Sequence, residues 1–150
     1  MKKFRFGLQP VLEHRGRIED ERKAALAARQ REFDAEAAEL ARLNAAYREQ
    51  SDLLRGEHRT LGADELRMRY AHVEYLNRSI DAQMAVVDRY RAAVDRARAA
   101  LLEASVDRKV VEKLKDRRRE SHDEGARKVE QNELDDANAR RHSRIGEPPL

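Results

Sequence analysis

The chain has 150 residues, and 32 Lys and Arg against 29 Asp and Glu leave it a net charge of +3. Charged residues make up 41% of it and aromatic residues 5%, against about 25% charged in an ordinary globular domain, so large apolar groups are too scarce for a compact core. The absence of Cys excludes a disulfide frame, a thiolate nucleophile and a Cys-based zinc site, while 23 alanines and a small net charge argue against simple disorder.

The opening, Met1-Lys2-Lys3-Phe4-Arg5-Phe6, lacks the apolar block of a signal peptide. No stretch approaches the ~18 apolar residues of a membrane span, so a cytoplasmic protein is expected. Helix one is expected over about 8–57, with Pro10 in its first turn, where a missing N–H costs nothing. Phe4, Val11, Ile18 and Ala25 keep one seven-residue register, with Leu8 and Leu12 beside it. Leu26, Phe33, Leu40, Tyr47 and Leu54 keep another, displaced by one residue, a change of pitch that a long helix tolerates. The alternating charges of Asp34-Ala35-Glu36-Ala37-Ala38-Glu39 read as a solvated surface.

A turn is expected over 58–64. Gly56 and Gly62 should end the first helix, and Thr60 or Asp64 should cap the second. Helix two is expected over about 65–142. Leu66, Val73, Ile80, Val87, Val94 and Leu101 repeat every seven residues without a miss, which is a coiled-coil seam. A flanking row of Tyr70, Asn77, Met84, Arg91, Arg98 and Ser105 grows polar toward its end, and Leu76, Tyr90, Ala97 and Ala104 widen the stripe on the other side. Val111 and Leu114 extend it after a small phase shift. Two complementary seams joined by a short break predict an all-α fold: a two-helix antiparallel coiled-coil hairpin, one domain over 1–142.

If Leu54 faces Leu66, paired residue numbers add to about 120 along the hairpin, so Phe4 comes opposite roughly position 116. The second helix is then the longer one, and its overhang from about 118 to 142 would project about 38 Å. Residues 143–150, which end in Gly146-Glu147-Pro148-Pro149-Leu150, are expected to form a flexible tail.

Nothing in the sequence points to catalysis. His14, His58, His72, His122 and His142 form no His-x-x-x-His pair, and no Gly-rich loop precedes a helix to cradle phosphate. A two-helix hairpin also offers its carboxylates no concave pocket. The expectation is therefore no enzyme, no metal, no cofactor and no small-molecule substrate. Basic clusters remain: residues 108–119 hold seven bases against Glu112 and Asp116, net +5, and residues 1–17 hold five against Glu13, net +4. The hairpin brings both to its open end, which suits docking on an acidic protein surface. The plainer alternative is a solvated surface with ion pairs worth about 0.3–0.5 kcal/mol each. Nucleic acid is disfavoured, because no aromatic residue interleaves the basic stretch for base stacking.

Phe4-Arg5-Phe6-Gly7-Leu8-Gln9-Pro10-Val11-Leu12, followed by Arg15 and by Glu19 to Glu21, resembles the opening of FliJ proteins of the flagellar type III export apparatus. Val110-Val111-Glu112-Lys113-Leu114-Lys115-Asp116-Arg117-Arg118 is similar to that family's stretch late in the second helix, and Glu130 to Asp136 to its acidic C-terminal signature. The resemblance spans essentially the whole chain, and its two terminal motifs, in their order, are the specific part. It implies a non-enzymatic stalk, similar to the central shaft of rotary ATPases, that binds the hexameric export ATPase and promotes its assembly. It also implies a link to the transmembrane export gate, an escort role toward export chaperones, and a place at the inner membrane beneath the flagellum.

By the same resemblance, ATPase contact is assigned to Phe4, Phe6, Leu8, Arg117, Arg118 and Arg119, with Leu134 as a further candidate. Gate contact is assigned to Tyr47, Tyr75 and Leu76, with Leu40 and Leu43 on the same stretch. Tyr75 lies off the seam and should face solvent, whereas core packing explains Leu40 and Tyr47 equally well. The competing readings are the equivalent stalk of a virulence-type secretion system, a generic structural coiled coil pairing as a parallel rod, and a basic nucleic-acid-binding hairpin.

Overall fold

The computed structural model of the protein describes residues 3–145, with side chains over 3–142. Among these residues there are two elements, helix α1 at Gln9–Glu57 and helix α2 at Ala63–Ile145, of 49 and 83 residues. The two pack against each other as an antiparallel hairpin whose second helix is the longer. α2 continues three residues into the segment expected as a tail, and Gly146 to Leu150 lie outside the described residues.

Contacts gather into two units: an open-end unit of residues up to Arg17 with those from Ser105 onward, and a turn-side unit from Ile18 to Ala104. In the turn-side unit, Leu76, Ile80, Val87, Val94 and Ala104 are buried. Leu66, Val73, Tyr90, Ala97 and Leu101 are half-buried with them. Inward positions thus step by four and three along α2, which is knobs-into-holes spacing. The second row of the seam is the one through Leu76 and Ala104. The row through Tyr70 and Met84, 54% and 50% exposed, faces water. Its drift into polar residues reflects that orientation.

The expected change of pitch in α1 is absent. Leu12, Glu19, Leu26, Phe33, Leu40, Tyr47 and Leu54 form one unbroken seven-residue row of the sequence. Glu19 is 7% exposed, while Ala25 is exposed and Val11 is 41% exposed. A glutamate at an interior position hides the row from an apolar pattern, and the neighbouring Ile18 mimics a shift. Lys23 Nζ lies 3.7 Å from the Glu19 carboxylate one turn on.

The break is built by a threonine and not by glycine. Gly56 stays helical, and no described glycine has a positive φ. Thr60 donates to the Glu57 carbonyl from both its N–H and its Oγ1, each at 2.9 Å, so it caps the end of α1 instead of the start of α2. Gly62 precedes α2, and its carbonyl takes the first helical bond from Leu66 N. Asp64 sits inside the first turn of α2, paired with Arg67 at 2.8 Å. Acidic side chains there favour the positive end of the helix dipole. Arg69 then ties the two helices, lying 3.3 Å from Glu57 and 3.1 Å from Glu65.

Candidate protein-docking sites

In the open-end unit the inward row of α2 continues in register past Leu101, with Arg108, Lys115 and His122 as its half-buried members. Val111 keeps the second row without a phase shift, while Leu114 is exposed. The chemistry of the seam therefore changes where its period does not. Arg15 Nη1 donates to Asp107 Oδ2 at 2.8 Å, and Lys115 Nζ to Gln9 Oε1 at 3.0 Å. The Arg118 guanidinium stands 5.9 Å from the ring centre of Phe6, which is 8% exposed, and Phe4 meets His122 edge-on at 5.6 Å.

Phe4 thus reaches His122, well beyond the expected position near 116. The described residues before Gln9, from Lys3 to Leu8, are not helical. An extended segment covers about 3.3 Å per residue against 1.5 Å in a helix, so a few leading residues pass along more of α2. Phe4 and Phe6 on one wall and Lys115, Arg119 and His122 on the other line a hollow of about 540 Å³.

The residues expected to bind the ATPase divide by environment. Phe4, Phe6 and Arg119 line this hollow, and Arg118 stands over the Phe6 ring. Leu8 is half-buried, and its carbonyl accepts the Leu12 N–H at 3.0 Å where α1 begins. Arg117 is exposed on the same stretch of α2. Leu134, 55% exposed, lies about four turns farther on and apart from them. From Arg127 to His142 every side chain is exposed.

The residues expected at the gate also divide. Leu43 and Leu76, 9% and 5% exposed, form the interior with Ile80, and Leu40 and Tyr47 pack against it half-buried. Tyr75 is 59% exposed and stacks on His72 at 6.3 Å. Its carbonyl accepts the Ser79 hydroxyl at 2.9 Å. Facing it on α1, Arg42 grips both oxygens of Glu39 at 2.7 and 2.6 Å. Those hydrogen bonds hold the Glu39 carboxyl below its ordinary range and raise the Arg42 guanidinium, to which the Tyr75 hydroxyl adds a smaller attraction.

Apolar periodicity missed the polar pairs across the hairpin. Gln83 sits on the inward row of α2, and its amide donates to the Glu36 carbonyl at 3.1 Å and carboxylate at 2.7 Å. The seven-residue count alone, applied without regard to polarity, places Gln83, Glu19 and Lys115 inward.

No cluster of three or more potential metal ligands occurs among the described residues, and none of their helices is long and apolar enough to cross a membrane. The family model described as the flagellar FliJ protein matches residues 4–147. No curated protein matches the chain. Among solved structures, a candidate YscO homologue from Chlamydia trachomatis superposes with a TM-score of 0.50 at 18% identity, covering 95% of this chain and 99% of that one. At that identity the likeness is one of fold.

Proposed function

The chain belongs to the FliJ family of flagellar proteins, and from that premise we propose that it is the central stalk of the export apparatus, seated by its open-end unit on the hexameric export ATPase. The family is a non-enzymatic part of flagellar type III export, and the chain shares that role. On this reading Arg117, Arg118 and Arg119 dock on acidic surface of the ATPase ring, while the packed rings of Phe4 and Phe6 hold the cations in place. Leu8 closes the start of α1 beneath them, and Leu134 adds an apolar contact farther along α2. Tyr75 makes the contact with the cytoplasmic part of the export gate, flanked by the half-buried Leu40 and Tyr47. Leu43 and Leu76 support that face from within. The protein works in the cytoplasm against the inner membrane at the flagellar base, and escorts export chaperones there.

The observation that carries the reading is the open-end unit itself. It presents three consecutive exposed arginines beside packed aromatic rings, followed by a helix exposed on all sides from Arg127 to His142. The test is the ATP hydrolysis rate and oligomer size of the same organism's export ATPase, with and without this protein. Stimulated turnover with a shift to hexamers is expected. Arg117→Glu, Arg118→Glu and Arg119→Glu together should weaken binding at least about tenfold while helicity stays intact. Unchanged turnover and oligomer size would remove the stalk role, and unchanged binding by the triple variant would remove the arginines from it.

A further inference from the structure

The turn-side unit carries a second basic surface that the stalk reading does not use. Two adjoining hollows of about 410 and 300 Å³ share Arg29 and Ala93. Their walls are Arg22 and Arg29 on α1 and Arg89 and Arg96 on α2, all exposed. Their floor is mostly alanine, with Ala93, Ala97 and Ala100 half-buried, and Val86 and Tyr90, also half-buried, at one end. Among the described residues Arg22, Arg89 and Arg96 enter no ion pair or side-chain hydrogen bond, and only Arg29 of the four has a partner, Glu32 at 2.9 Å.

The reason lies in the sequence. The neighbours of Arg89 and Arg96 three and four residues away are all Ala or Val, so a helix gives these guanidiniums nothing to pair with. About half a turn round the same helix, Arg91 and Arg98 stand next to Asp88 and Asp95 at 3.6 and 3.5 Å. One face of this segment is neutralised and the other is left cationic over a small-residue floor.

We propose that this arginine-walled groove docks an acidic amphipathic helix of a partner protein. A third helix laid between two others needs small residues beneath it for close approach, and carboxylates on its flanks would meet the four guanidiniums at the groove's edges. A membrane surface fits less well, because the larger side chains of the floor, Val86 and Tyr90, are half-buried and do not project to insert. Nucleic acid fits less well because the groove has one half-buried tyrosine, Tyr90, and no stacking platform. The proposal stands apart from the ATPase contact, since its residues belong to the other unit.

The probe is a synthetic helical peptide with an Ala/Leu stripe flanked by Glu at i, i+3 and i+7, compared with its Lys counterpart. Saturable binding of the Glu peptide alone is expected. Arg89→Glu with Arg96→Glu should weaken it at least about tenfold, and Arg91→Glu with Arg98→Glu by less than about threefold. Ala93→Glu keeps every arginine but supplies an intrahelical partner to both Arg89 and Arg96, so it should weaken the peptide as the double reversal does while circular dichroism shows unchanged helicity. No binding of the Glu peptide, or equal losses on the two faces, would overturn the proposal. So would tighter binding to anionic phospholipid vesicles or to a single-stranded oligonucleotide, which would reassign the groove to lipid or nucleic acid.

Discussion

Both units are built on the same seven-residue row of α2, and they fill it differently. Between Leu66 and Leu101 the row holds only aliphatic residues; from Arg108 to His122 it holds Arg108, Lys115 and His122. Among the described residues the turn-side unit contains every buried apolar side chain except Phe6. The open-end unit is held instead by aromatic rings against cations and by polar links between long side chains. Apolar burial is strong and indifferent to direction, whereas a guanidinium over a ring or a lysine on an amide contributes less and leaves charge at the surface. The first arrangement suits a support and the second a surface that has to meet a partner.

The sharpest way to break this contrast is to remove apolar surface from the turn-side unit. Leu76→Ala should destabilise the protein by about 2–3 kcal/mol, the lower part of the range for core leucines. Two helices leave a thin interior, and no described side chain is less than 2% exposed. Thermal melting checks it, and a melting temperature shifted by less than a degree would mean that the seam is not the support.

Phe6→Ala tests the other side. Its cost should be about 2 kcal/mol, below the usual range for a core phenylalanine because the interior is thin, and confined to the open-end unit to which Phe6 and Arg118 both belong. Hydrogen exchange should quicken about thirtyfold in the amides of residues 9–17 and stay unchanged around Leu76. Exchange that quickens equally in both places would show that the two units open together, and the distinction would fall.

Most of the fold was legible because helices and seams follow from period and punctuation. Leu66 to Leu101 located α2, and the Gly-rich break located the turn within a few residues. Polarity misled at Glu19, where one interior charge read as a change of pitch, and at Leu114, where an apolar side chain beyond the end of the seam read as part of it. Thr60, one of two candidates to cap α2 along with Asp64, closes α1 instead, because a hydroxyl can serve either end of a short break. The candidate sites were legible as stretches and not as surfaces. Tyr75, off the seam in the sequence, faces water as its position implies, whereas Leu43, grouped with it on one stretch, lies in the interior with Leu76.

Glu19 sharpens the comparison, because it is a charged residue in the row that is otherwise apolar in its unit. Glu19→Leu exchanges the buried charge for an apolar side chain that continues the row while its partners stay in place, and stability should remain within about 1 kcal/mol of wild type. Lys23, one of its partners at 3.7 Å, has a side chain 56% exposed and keeps its hydration in the variant. What Glu19 contributes is then register: the Leu variant should also pair in slipped or dimeric forms, detectable as a solution mass above one chain. A variant that is both less stable and monomeric would make Glu19 a plain stabilising contact.

The smallest expected effect lies at Glu39, beside the exposed Tyr75, where the turn-side unit most resembles the open end in chemistry. The Arg42 fork lowers the Glu39 carboxyl from its ordinary 4.5 in the folded protein, first by hydrogen bonding and then by attraction of charge. A carboxyl that ionises more readily when folded adds stability above its unfolded value, and that stability disappears as the pH falls through the lower folded value. Wild type should therefore exceed Glu39→Gln in melting temperature near neutrality by a small margin, and the margin should close as the pH falls below the ordinary carboxyl value of 4.5. Water surrounds this pair, so the margin stays well below that of Leu76→Ala. A margin that does not change across this range would mean that the Arg42 fork does not form in solution, and Tyr75 would then stand on an unbraced face.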